Sequence, residues 1–164
     1  MIAWLFRFRG EGIALWGLGA ILLGWPPHGE WLSLPLLAAG LALRIWARRH
    51  IGPHSRGRIL LCPETSVSGP YRYLDHPLYL ANLLVIASLA VCLSGWSWPV
   101  VAILSGPTLL YLLLARAETA FVAKAASSVR IVSHDARSGR WHSEWASTCP
   151  QIALWGILQF LSTR

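Results

Sequence analysis

The chain has 164 residues, enough for one domain, of which 55% are hydrophobic and 13% charged. A soluble domain carries about 25% charged residues, so this composition, with its mean hydropathy of +0.50, excludes an ordinary water-soluble globule and points to a polytopic membrane protein. The net charge of +7 would suggest nucleic acid in a soluble chain, but here the arginines border apolar runs and no nucleic-acid motif accompanies them, so topology and anionic headgroups account for them.

Taken in order, Met1 to Glu11 mixes apolar residues with Arg7, Arg9 and Glu11, and an apolar run follows from Gly12 to Pro27. A positive start and an apolar middle resemble a signal peptide, yet Trp25-Pro26-Pro27-His28 is a poor cleavage site. The run is read as a first transmembrane helix over about 6–25. After the turn at Pro26–Gly29, the uncharged stretch from Trp31 leads to Arg44, Arg48 and Arg49, whose long side chains can snorkel to the interface. A second helix is therefore expected over about 31–49. Trp25, Trp31, Trp46, Trp96 and Trp98 fall where apolar runs end, as in interfacial aromatic belts.

His50 to Ser68 is polar and broken by Pro53, Gly57 and Pro63. Gly52-Pro53 between His50 and His54 disfavours one helical face for the two, and Cys62, Cys92 and Cys149 lack paired metal spacing. No metal site and no disulfide framework are expected. Arg56 and Arg58 suit a cytoplasmic loop, or contact with an anionic cofactor or lipid.

The stretch Gly69-Pro70-Tyr71-Arg72-Tyr73-Leu74-Asp75-His76-Pro77-Leu78-Tyr79 joins this polar segment to a long apolar one. Gly69-Pro70 is a turn signal, and Pro77 fits the first turn of a helix, where its missing N–H would have no partner anyway. Asp75 and His76 then stand at the helix mouth, where free N–H groups and the dipole favour an anion. The bland reading is a helix start with a proline, a capping aspartate and interfacial tyrosines. Polar groups at the start of a membrane helix are expensive to keep, which invites a functional reading.

Pro77–Ser94 is apolar apart from Asn82 and small hydroxyls, and at about 1.5 Å per residue it spans most of a ~30 Å core. After the reversal at Gly95–Ser97, a fourth helix is expected over about 98–118, with Pro107 kinking it and freeing a carbonyl near mid-membrane. Such a hairpin returns the chain to its starting face, so His76, Tyr79 and Glu118 share one membrane surface and can frame one pocket. Phe121 to Trp145 is basic and is read as an interfacial helix with loops. Thr148 to Leu161 is apolar but short for a span, and is read as a fifth helix that is tilted, re-entrant or at the surface. The expected fold is an all-α transmembrane bundle, one domain over 1–164, with four spans and a short C-terminal helix over about 148–161.

The motif Gly69-Pro70-Tyr71-Arg72-Tyr73-x-x-His76-Pro77-x-Tyr79 resembles the signature of the isoprenylcysteine carboxyl methyltransferase and phospholipid methyltransferase superfamily. Its resemblance covers about Leu43 to Lys124, the expected catalytic core. Family members usually have an arginine where Asp75 stands, and two adjacent acids one helix later where Ala117-Glu118 keeps only the second. The resemblance implies an integral membrane enzyme using S-adenosylmethionine, with cofactor contacts at His76, Pro77, Tyr79 and Glu118, joined by Gly69, and a lipid or isoprenoid-like substrate entering from the bilayer. Tyr71 and Arg72 are further candidates, for positioning, alongside Glu118 in the reaction. Two other functions compete. Membrane sterol and steroid reductases look similar around His-Pro-x-Tyr, and Arg56 and Arg58 could hold a nicotinamide cofactor's phosphate. A non-catalytic scaffold would explain Asp75 and Ala117 as decay. The positive-inside rule puts the N-terminus, the His50–Tyr73 loop and Lys124–Trp145 in the cytoplasm, as in an inner-membrane protein of a bacterium.

Overall fold

The structure, a computed structural model, describes residues 9–22, 31–50, 64–124, 130–132 and 141–162. Its helices are α1 (Arg9–Leu22), α2 (Leu34–His50), α3 (Pro77–Ser94), α4 (Trp98–Lys124) and α5 (Trp141–Ser162), with 3-10 turns at Trp31–Ser33 and Gly69–Arg72. Two of them, α3 and α4, are long and apolar enough to cross a membrane. Among the described residues the fold is thus helical, with two candidate spans.

Helix α3 is the hub. Half of it is buried, against 28% of an 18-residue apolar stretch of α4, whose Val101, Leu109, Leu112 and Leu113 face outward. One apolar cluster joins Leu37 of α2, Val85, Cys92 and Leu93 of α3, and Trp155 and Leu158 of α5. A second joins Tyr111 and Leu114 of α4 to Ile13 of α1 and to Tyr79, Leu83 and Ile86 of α3. Close approach of α2 to α3 depends on Gly40, where a Cβ would lie 2.9 Å from Val85 Cγ2 and 3.0 Å from the Ala81 carbonyl oxygen. Small residues at such crossings bring backbones together where lipid gives no hydrophobic drive between helices.

Buried polar groups pin these contacts. Trp155 Nε1 donates to Ser33 Oγ at 2.8 Å, and Ser88 Oγ donates to the Ser33 carbonyl at 2.9 Å, so one serine ties α5 and α3 to the start of α2. Pro107 of α4 has no N–H for the carbonyl four residues earlier. That carbonyl, of Ile103, instead accepts from Trp16 Nε1 of α1 at 2.8 Å. Gly106 makes room for the indole, since a Cβ there would sit 2.8 Å from Trp16 Cε2.

The observed elements differ from the expected ones mainly at the ends. Residues 6–8 and 23–25 of the expected first helix lie outside the described residues, as do 51–63 of the polar loop. Helix α4 runs six residues past Glu118 to Lys124, through Thr-Ala-Phe-Val-Ala, because no glycine or proline stops it. Helix α5 begins at Trp141 and not near Thr148, and it passes through Pro150. Within the segment read as an interfacial helix with loops, Arg130–Val132 forms a short strand, β2, which pairs in parallel with β1 (Glu64–Ser66). Glu64 lies opposite Arg130 and Ser66 opposite Val132 in the register, so the segment before the Gly69 turn is tied to the segment after α4.

Candidate active site

The site begins at the 3-10 turn. Gly69 has φ +59°, a left-handed conformation that glycine adopts without steric cost, and the His50 ring lies where a Cβ would be, 2.3 Å away at Cδ2. His50 Nδ1 lies 3.2 Å from Ser68 Oγ, so the end of α2 grips the turn. The Pro70 carbonyl accepts from the N–H groups of Tyr73 and Leu74 at 3.1 and 3.0 Å. His76 then caps α3 with its backbone, its carbonyl accepting from the Tyr79 and Leu80 N–H groups at 3.1 and 3.3 Å, and its side chain makes no capping bond. Pro77, at the first helical position, is buried. Asp75 precedes this cap and is exposed.

With its imidazole free of capping duty, His76 turns toward α4. Its Nδ1 lies 3.3 Å from Glu118 Oε2, while Tyr79 Oη donates to Glu118 Oε1 at 2.5 Å. The other imidazole nitrogen lies 3.3 Å from Thr119 Oγ1, whose hydroxyl donates to the Ala115 carbonyl at 3.0 Å. His76 and Tyr79, three residues apart on one helical face, stack with centroids 5.5 Å apart, and Tyr79 stacks on Tyr111 at 4.9 Å. The side chains of His76 and Glu118 are about one-quarter exposed, which leaves the carboxylate open to a ligand. The hairpin argument from sequence is borne out in this respect: His76, Tyr79 and Glu118 meet.

Tyr71 projects from the turn with its hydroxyl oxygen buried and without a hydrogen-bond partner. Burial, and then the Glu118 charge, push its pKa well above the usual phenol value, and Arg48 partly offsets them. The phenol therefore stays protonated and remains a donor. On the α2 side, Arg44 Nη1 donates to Asn82 Oδ1 of α3. Arg44 was expected to snorkel outward and instead is half-buried between helices. Arg72 is exposed and does not join the Glu118 cluster, and Gly69 serves the turn and its contact with His50.

Sequence reasoning missed three participants. Tyr111 lies seven residues before Glu118, two helical turns away on the same face. Thr119 adjoins the acid. Asn82 is the lone amide in an apolar helix, a signal that a polar partner had to exist. Chemically, the arrangement offers an accessible carboxylate on the α4 side, a buried neutral donor at the turn and guanidinium groups on the α2 side.

A family model described as phospholipid methyltransferase matches residues 29–126. The chain belongs to the phospholipid methyltransferase family. The matched segment contains α2, the Gly69 turn, α3 and the whole of α4, and so takes in all the residues of the cluster; it reaches further toward the N-terminus than the Leu43 to Lys124 resemblance. No curated protein and no solved structure matches the chain. Membership makes the protein a methyltransferase for lipophilic acceptors, and the two apolar helices fit an integral membrane protein of that family.

Proposed function

We propose that this family member transfers a methyl group from S-adenosylmethionine to a lipid or isoprenoid-like acceptor at the cytoplasmic face of the membrane. What carries the reading is Glu118, a partly exposed carboxylate held by Tyr79 and His76 within the family-matched segment. The donor set fits the cofactor: a carboxylate for its ammonium, and an unpartnered buried hydroxyl on Tyr71 for an acceptor atom. When bound, the cofactor supplies a methyl group already activated by its sulfonium. The chain's own residues have the tasks of binding, orientation and exclusion of water. Glu118 takes the ammonium. Tyr79 and His76 fix the carboxylate's rotamer and, with Pro77 and Gly69, shape the pocket wall. Arg72, exposed beside the turn, meets the polar end of the acceptor.

In this reading α1, α2, α3 and α4 are four spans, α5 is a short fifth helix, residues 43–124 form the catalytic core and the N-terminus is cytoplasmic. Trp96, exposed in the α3–α4 turn, then faces away from the cytoplasm. A Trp96→Cys variant should react with an impermeant thiol reagent added to intact cells. Labelling only in inside-out vesicles reverses the orientation.

The reaction itself is tested by incubating detergent-purified protein with a lipid extract and a deuterated methyl donor. One lipid class should gain the label in the mass spectrum. No labelled lipid, together with binding of NADPH and none of S-adenosylhomocysteine, would replace this reading with the membrane reductase. Binding of neither would leave a scaffold.

A further inference from the structure

The site is polarised across the bundle. On the α4 side, Glu118 engages Tyr79 through one carboxylate oxygen and His76 through the other. On the α2 side, Arg44 and Arg48 stand four residues apart on one helical face, both half-buried, with Arg44 reaching Asn82. The Gly69–Arg72 turn bridges the two sides, gripped by α2 through His50 and Ser68. Tyr71 projects from that turn. Its hydroxyl oxygen is buried with no partner, which folded proteins avoid unless the group has a ligand, water or ion to meet.

The α3 side chains able to serve an anionic ligand group are already committed, since Tyr79 and His76 both turn to Glu118. A bare carboxylate beside Glu118 would also be repelled. Tyr71 resolves both difficulties, because it feels the opposed charges of Glu118 and Arg48 and, with its ionisation suppressed, keeps its proton to donate. A neutral donor backed by a guanidinium, beside an acid, matches a ligand whose positive and negative groups share one carbon.

We propose that Tyr71, backed by Arg48, forms an oxyanion subsite that takes the carboxylate at the amino-acid end of the methyl donor while Glu118 takes the ammonium. The subsite rests on the cofactor reading above and adds to the motif one residue on the α2 side, Arg48, that the motif does not contain.

Calorimetry on the detergent-purified full chain tests it with two ligands, S-adenosylhomocysteine and its decarboxylated counterpart. Tyr71→Phe should weaken S-adenosylhomocysteine about tenfold, equivalent to ~1.4 kcal/mol, and leave the decarboxylated ligand unchanged. Arg48→Gln should show the same selectivity. The ligand-free Tm of Tyr71→Phe should not fall, because the deleted hydroxyl has no hydrogen-bond partner among the described residues. Unchanged affinity for S-adenosylhomocysteine in Tyr71→Phe, or an equal loss for both ligands, overturns the subsite and leaves the cofactor reading intact. Failure of the wild-type protein to bind S-adenosylhomocysteine overturns both.

Discussion

Two regions of the bundle hold polar side chains and use them differently. At the joint of α2, α3 and α5, Ser33 and Ser88 are fully buried, and Trp155 and Ser88 both donate to Ser33. The groups are neutral and their bonds close within the joint. At the other end of α3, His76, Tyr79 and Glu118 are partly exposed, and Tyr71, whose hydroxyl has no partner among the described residues, feels both the Glu118 carboxylate and the Arg48 guanidinium. Neutral polarity holds helices at fixed distances, because an unmade hydrogen bond in hydrocarbon is costly. Charge of both signs around a partly open space adds little to packing and suits a ligand that carries both signs.

The sharpest way to break this comparison is to remove the charge of the acid while keeping its shape. Glu118→Gln should weaken S-adenosylhomocysteine about tenfold to a hundredfold, the loss of one charge-assisted bond worth roughly 1.5–3 kcal/mol. The fold should survive, since the amide still accepts from Tyr79. Glu64→Gln, on the β1 strand, should bind as the wild type does and serves as the control in the same titration. Equal affinities for wild type and Glu118→Gln would remove the site from this end of the molecule.

The packing joints should respond in the opposite way, in stability and not in affinity. Gly106→Ala forces a methyl against the Trp16 ring at 2.8 Å. Overpacking of this kind costs about 1–3 kcal/mol, so thermal unfolding in detergent should shift down. Trp155→Phe keeps an aromatic ring in the core but deletes the donor to Ser33 Oγ and part of the buried ring volume. The lost hydrogen bond alone costs about 1 kcal/mol, and thermal unfolding should again shift down. S-adenosylhomocysteine affinity measured on both folded variants should match the wild type; a loss there would mean that the joints and the site are one coupled unit.

How legible each region was in the sequence follows from the range of its contacts. Helix α3 has the expected limits, 77–94, because Pro77 opens it and Gly95 follows its last residue. The meeting of His76, Tyr79 and Glu118 needed only a helical period and a hairpin. The freed carbonyl below Pro107 was foreseeable from local chemistry. Its donor was not, since Trp16 lies 87 residues earlier and no local pattern names it. Arg44 illustrates the same limit: hydropathy places an arginine at the interface, and only the tertiary pairing with Asn82 draws it inward. The β1–β2 pairing was invisible because three-residue strands have no readable period and the partner is set by the hairpin between them. Helix ends at Lys124 and Trp141 were missed because polar residues were read as stops, whereas a helix ends for want of capping or at a breaker.

The smallest expected effect sharpens the boundary of the site. Asp75 stands one residue before the His76 cap, where the family usually has arginine. It is exposed, and among the described residues it forms no ion pair with Arg72. An acid at a helix start gains roughly 0.3–1 kcal/mol from the dipole, and exposure to water and salt reduces that further. Asp75→Arg reverses the charge without touching a packed group, so the protein should fold with a Tm close to the wild type and bind S-adenosylhomocysteine with little change. Circular dichroism melts and calorimetry on the same preparation check both statements. Loss of binding in a well-folded Asp75→Arg protein would extend the charged region outward onto the exposed bend. Asp75 would then share the work of the cation side with Glu118, and the family's usual arginine would mark a difference in ligand recognition between this chain and its relatives.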